Sequence, residues 1–163
     1  MIILVMGVSG SGKTTIGQQL ANSLHWEFRD ADSFHSPDNV EKMRQGIPLT
    51  EADRAPWLQA LQTAIVHWLE ADQNRVLACS ALRASYRQYL MVDSDRVKLI
   101  YLYGSFDLIQ KRLRSRHNHY MSDQLLESQF ATLEEPTDAL QIDINQPIEA
   151  IVEAIRATLL PLG

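Results

Sequence analysis

The sequence predicts a doubly wound α/β domain, and three observations lead to it. Strand-like and helix-like segments alternate along the 163 residues, the order that builds βαβ units around a parallel sheet. Several strand candidates are unbroken apolar runs, as expected where helices cover both faces of a sheet. A glycine-rich turn joins the first strand to the first helix, and in such domains ligands bind beyond the carboxyl ends of the strands.

The five strand candidates are 2–6, 26–30, 75–79, 97–102 and 139–144. Between them, Ile16, Leu20 and Leu24 mark the helix that follows the first strand. The clearest helix is 51–71: Thr50 and Asp53 have capping-box spacing, and Leu58, Leu61, Ile65 and Leu69 form an apolar stripe. Near the carboxyl end, Pro147 is expected as a first helical residue, with Ile148, Ile151, Val152, Ile155 and Leu159 on one face behind it. No internal repeat, low-complexity tract or linker interrupts the pattern, so a single domain spanning 1–163 is expected.

Bulk properties narrow the function. A net charge of −5 argues against a broad nucleic-acid footprint. No apolar run approaches the roughly 18 residues needed to span a bilayer. The amino terminus lacks a basic segment and cleavage site, and Cys79 is the single cysteine, so no internal disulfide can form. A reducing cytoplasm is the expected compartment.

Gly7, Val8, Ser9, Gly10, Ser11, Gly12, Lys13 and Thr14 match G-x-x-x-x-G-K-[ST] without a mismatch, directly after an apolar strand. Backbone N–H groups of such a loop turn inward to cradle phosphate oxygens, and the following helix adds its positive dipole end. Lys13 can then reach the β- and γ-phosphates, while the Thr14 hydroxyl can hold Mg²⁺.

The second strand ends in Asp30-Ala31-Asp32, which puts two carboxylates on one side of an extended chain. One of the pair can organise Mg²⁺, and the other can accept a substrate hydroxyl proton. His35 and Arg54 are candidates for an anionic acceptor, since arginine matches carboxylate geometry. Lys42 and Arg44 read instead as a solvated helix face. After the third strand, Ser80 and Arg83 sit where substrate contacts belong, and Cys79 reads as a small buried residue. That strand lacks the acidic residue that closes a typical Walker B strand, and the guanine-reading Asn-Lys-x-Asp is absent. From Lys111 a basic run through Arg112 and Arg116 suggests a flap closing over polyphosphate; His117 and His119 do not make a metal site.

At this resolution three readings stay open: a kinase for a hydroxylated sugar acid, a kinase for shikimate or a nucleoside monophosphate, and a regulatory module that binds ATP and transfers nothing. A family resemblance separates them. The run 30–35 with Asn39, Lys42-Met43, Gly46, Pro48-Leu49, Asp53-Arg54 and Pro56-Trp57-Leu58 resembles the small bacterial gluconokinases. So do the run 79–83 with Tyr86-Arg87, and Ser128-Gln129-Phe130 with Leu133-Glu134 and Pro136. The resemblance covers nearly the whole chain and extends to shikimate and adenylate kinases.

It implies a P-loop kinase fold with a five-stranded parallel sheet, a substrate-binding helical segment at about 35–72 and a short lid at about 112–124. The implied reaction is transfer of the ATP γ-phosphoryl group to the 6-hydroxyl of D-gluconate, usually by a dimer. By position, residues 7–14 with Thr15 and Arg112 would bind ATP. Asp30 with Thr14 would serve Mg²⁺, and Lys13, Asp32 and the lid residue Arg116 would be catalytic. Asp32, His35, Arg54, Ser80 and Arg83 would meet gluconate. Two segments depart from the family pattern. Arg116-His117-Asn118-His119 replaces the usual Arg-Lys-Gly-His, and Thr14-Thr15 replaces Ser-Thr after the lysine, which keeps the hydroxyl.

Overall fold

The computed structural model describes residues 1–115 and 123–161. Five parallel strands, β1 (Ile2–Met6), β2 (Glu27–Asp30), β3 (Arg75–Ala78), β4 (Val97–Tyr103) and β5 (Leu140–Asp143), form one sheet in the order β2-β3-β1-β4-β5. Every β1 residue is buried, which accounts for its unbroken apolar sequence: helices lie on both of its faces. The predicted strands are all present, with ends displaced by no more than a residue.

The helices are α1 (Lys13–Leu24), α2 (Pro37–Arg44), α3 (Glu51–Glu70), α4 (Ala84–Leu90), α5 (Phe106–Arg114), α6 (Asp123–Thr132) and α7 (Ile148–Leu159); a 3-10 turn spans Ala31–Phe34. Two apolar layers sandwich the sheet. One joins Ile3 and Val5 of β1 to Ile16 and Leu20 of α1 and Ile151 and Ile155 of α7. The other joins Ile2, Leu4 and Met6 to Trp57, Leu61 and Ile65 of α3. Alternate β1 residues therefore serve opposite layers, as the period of a strand requires.

The predicted capping box at the start of α3 is complete: Asp53 N donates to Thr50 Oγ1, and Thr50 N donates to Asp53 Oδ2. One boundary needs correction. Pro147 is the N-cap of α7, with extended ψ of 146°, and the first helical residue is Ile148.

Register is what assembles the site. Val5 of β1 and Asp30 of β2 both pair with Ala78 of β3, so three strands end side by side. Neighbouring strands lie about 4.8 Å apart, which brings the segments after β1, β2 and β3 together at one edge. In order, these are the glycine-rich loop, the acidic pair and the 80–83 turn. Chain order also reverses around β1, since β3 and β4 flank it, and such a switch point opens a ligand crevice.

Candidate active site

The phosphate loop has the backbone that its glycines permit. Gly12 caps α1 at φ 96°, in the left-handed region that disfavours any side chain. A Cβ on Gly7 would lie 2.5 Å from Ser11 Oγ and 2.9 Å from Leu102 O, so only glycine fits. The Ser11 side chain is fully buried behind the loop, and its backbone N–H donates to Val8 O at 3.1 Å, which closes the turn. Lys13 Nζ donates to Val8 O at 3.1 Å, so the amine folds back over the loop.

From the opposite side, Gln129 of α6 braces the loop. Ser9 N donates to Gln129 Oε1 at 2.7 Å, and Gln129 Nε2 donates to Ser9 Oγ at 3.1 Å. Sequence reading assigned Gln129 no role. Its partner lies 120 residues away, a distance that no local pattern signals.

Thr14 Oγ1 donates to Asp30 Oδ2 at 3.3 Å, which unites the two predicted metal residues. A hydroxyl beside a carboxylate is a hard oxygen set, and Mg²⁺ binds through one or two such groups while keeping waters and phosphate oxygens. The residues therefore fit the ion. Asp30 Oδ1 also accepts from Asp32 N at 2.9 Å, which fixes the turn between the carboxylates. Asp32 opens to the site, yet protein atoms crowd it; that burial, with the Asp30 charge, raises its pKa above the ordinary carboxylate value. Lys13 pulls the other way.

Cys79, at the end of β3, is buried with its thiol pushed up to about 12, chiefly by burial. It is inert, as expected, and it feels the charges of Asp32, Lys13 and Asp30, which places all three around that strand end. Ser80 follows it, half-buried.

Behind the acidic pair stands a second layer of support. Trp57 of α3 is buried and donates its indole Nε1–H to Ala31 O at 2.8 Å, pinning the residue between the two carboxylates. The His35 ring stacks on Trp57 with centroids 4.4 Å apart and planes 9° from parallel. Asn39 is buried beside His35. Lys42 corrects the solvated-face expectation: its amine sits 3.0 Å from Asp53 Oδ2. That amine, with the Thr50 backbone N–H ahead of it, depresses the Asp53 pKa to about 2. Among the described residues, Arg44 pairs only with its own-helix neighbour Glu41, at the surface.

Arg54 and Arg83 converge through a residue that was not singled out. Glu51 Oε1 lies 3.6 Å from Arg54 Nη1 and 3.8 Å from Arg83 Nε, and Glu51 accepts from the Tyr86 hydroxyl at 2.8 Å. Two guanidinium groups against one carboxylate leave net positive charge for an anionic ligand. The 80–83 turn is held from below by buried Arg87, which donates to Ala81 O, Leu82 O and Glu134 O.

Two concavities border these groups. One, of about 630 Å³, is walled by Phe34, His35, Asn39, Lys42, Asp53 and Trp57. Lys13, Asp30 and Asp32 do not line it; it begins where the 3-10 turn leaves the acidic pair. The other, about 190 Å³, lies beyond the phosphate loop between Gly10, Thr15, Arg112 and Ile144. Arg112 belongs to the last turn of α5 and donates to Ile144 O at 2.8 Å, beside the loop. Arg116, His117 and His119 lie outside the described residues, as does most of the predicted lid.

The chain has counterparts among known proteins. A family model for shikimate kinase matches residues 9–158. The thermoresistant gluconokinase of Escherichia coli is 43% identical over 93% of this chain and 89% of its own. The chain belongs to the gluconokinase family. A gluconokinase from Gluconobacter oxydans is 46% identical over 83% of the chain and 76% of its own length. The crystal structure of a gluconokinase from Sinorhizobium meliloti superposes with a TM-score of 0.85 at 38% identity, covering 98% of this chain and 91% of that one. Shikimate kinase from Aquifex aeolicus, at 20% identity and a TM-score of 0.61, shares the fold.

Proposed function

We propose that the protein phosphorylates D-gluconate at its 6-hydroxyl, with ATP as phosphoryl donor. The observation that carries this reading is Asp30 and Asp32 held beside Lys13 and Thr14, in a chain whose gluconokinase relatives match along nearly its whole length. A donor cradle alone binds nucleotide. A second carboxylate with a raised pKa beside it supplies a proton acceptor, which only a transfer reaction needs.

The roles follow from the chemistry. Phosphoryl transfer is governed by positioning and charge stabilisation. Backbone N–H groups of the phosphate loop other than those of Ser9 and Ser11, which bond Gln129 and Val8, hold the β- and γ-phosphates, and Lys13 balances charge on the transferred oxygens. The recess beside Thr15 and Arg112 would take the nucleoside. Thr14 and Asp30 would hold Mg²⁺, which when bound neutralises phosphate charge. Asp32 orients the primary hydroxyl and takes its proton late, as the bond to phosphorus forms. Arg54 and Arg83, which share Glu51, would take the carboxylate end of the sugar acid, with His35 and Ser80 as further contacts. Arg116 would join them from the lid. We further propose a cytoplasmic homodimer; among the described residues no helix is long and apolar enough to cross a membrane.

ADP release measured with gluconate, shikimate and AMP as acceptors tests the reading. Gluconate-dependent turnover far above the other two is expected. Absence of gluconate-dependent ADP release would overturn it.

A further inference from the structure

The hydrogen bonds around His35 determine which of its nitrogens carries the proton. Asn39 Nδ2 lies 2.8 Å from Asp53 O, an oxygen that can only accept. That contact orients the amide, because the opposite orientation would set two oxygens against each other. The same Nδ2 lies 3.2 Å from His35 Nδ1. An amide nitrogen only donates, so its second hydrogen points at Nδ1, and Nδ1 must accept. The imidazole proton is then left on Nε2.

Each partner is itself fixed. Asn39 is buried near the start of α2, where its N–H bonds Ser36 Oγ at 3.2 Å. Asp53 is locked by the capping box and by Lys42. The ring is held flat against Trp57. A doubly protonated ring would turn an Nδ1–H toward the amide hydrogens, and burial with nearby Arg54 lowers the His35 pKa further.

On the reading that gluconate is the acceptor, we propose that Asn39 is a positioning residue. It holds His35 as a neutral imidazole with its single N–H on Nε2, a fixed donor for an oxygen of the polyhydroxy acid. His35 is then neither a base nor a cation in this site. The arrangement suits a ligand rich in hydroxyl oxygens, to which a neutral donor can bond without competing for the carboxylate that Arg54 and Arg83 attract. Charged groups sharing the surroundings of the ring are Arg54 and Asp53 on α3, Asp38, Glu41 and Lys42 on α2, and Asp32 in the preceding turn.

Nitrogen-15 NMR of histidine-labelled protein reads the tautomer without any substrate. The expected spectrum at neutral pH shows His35 with a protonated Nε2 and a bare Nδ1. In Asn39→Asp the carboxylate accepts instead, so the proton moves onto Nδ1 and the ring titrates at higher pH. Should that variant fail to fold, Asn39→Ala removes the donor without adding charge and should give mixed tautomers. Loss of one such bond should raise the gluconate KM of Asn39→Ala about three- to tenfold while leaving the ATP KM unchanged. His35→Gln, which keeps an amide N–H near the Nε2 position, should retain more gluconate affinity than His35→Ala. A wild-type His35 protonated on Nδ1 would overturn the proposal. So would an Asn39→Ala enzyme with mixed tautomers but unchanged gluconate KM. Failure of the functional reading looks different: the tautomer stands, and the wild type shows no gluconate-dependent ADP release.

Discussion

Replacing Trp57 by phenylalanine separates the support of the site from the site itself. The change keeps an aromatic ring for His35 to stack on and removes the indole N–H that bonds Ala31 O at 2.8 Å. Ala31 is 1% exposed, so water cannot readily replace the lost donor. A buried carbonyl left without a partner costs about 1–3 kcal/mol. The smaller ring also leaves part of the Trp57 volume empty in the layer it shares with Leu61 and Ile65, adding about 1 kcal/mol. Together these give about 2–4 kcal/mol, and for a chain of this size that is a fall in Tm of roughly 4–16 °C. The catalytic consequence is separate. Ala31 sits between the two carboxylates, and a shift of about 1 Å in a reacting group can cost about 10²-fold in rate. Thermal melts by circular dichroism, paired with kcat and both KM values, measure the two effects. Trp68→Phe is the control: it removes similar volume from the same layer, and no indole hydrogen bond of Trp68 is present among the described residues. If Trp57→Phe melts within 2 °C of wild type and retains full kcat, the pinning of the acidic pair by Trp57 is wrong.

Three further perturbations probe other parts of the site. Lys13→Ala should lower kcat by about 10²–10³ with the fold intact by circular dichroism, in line with other preorganised charge donors. Asp32→Asn should lose about 10²–10⁴ in kcat while retaining ATP binding by calorimetry. Its stability should move the opposite way. A carboxyl whose pKa is raised on folding favours the native state most below its unfolded value, and this contribution is lost as pH rises through the folded pKa. Removing the charge should therefore raise Tm at pH 7, and wild-type kcat should fall as acidification protonates Asp32 above the ordinary carboxylate range. Asp53→Ala shows the reverse sign. Its depressed pKa, about 2, contributes stability above the unfolded carboxylate value that is lost as pH falls through 2. The variant should melt below wild type at neutral pH, with the gap closing as acid approaches that value.

What could be read from the sequence follows from the range of each interaction. The strands were legible because β1 and most of β3 are buried, which writes an apolar run into the chain. The phosphate loop and acidic pair were legible because each is a local spacing at a strand end. The start of α3 was legible because Thr50 and Asp53 are three residues apart. Lys42 was misread because its partner lies 11 residues on, across the turn between α2 and α3. Asn39 and Gln129 stood in the family resemblance without roles, since their contacts reach 14 and 120 residues away. Glu51 looked like an ordinary first-turn acid; only the approach of α4 brings Tyr86 and Arg83 to it. Buried Arg87 likewise stood in the resemblance without a role, because arginine is ordinarily a surface residue.

The chemistry can be tested most directly on the product. With ATP and uniformly carbon-13-labelled gluconate, phosphorus–carbon coupling in the NMR spectrum identifies the carbon that bears the new ester. The account predicts coupling at C6, formed in step with ADP and slowed about 10²–10⁴-fold in Asp32→Asn. ADP appearing with inorganic phosphate alone, or with an ester on another carbon, would contradict it.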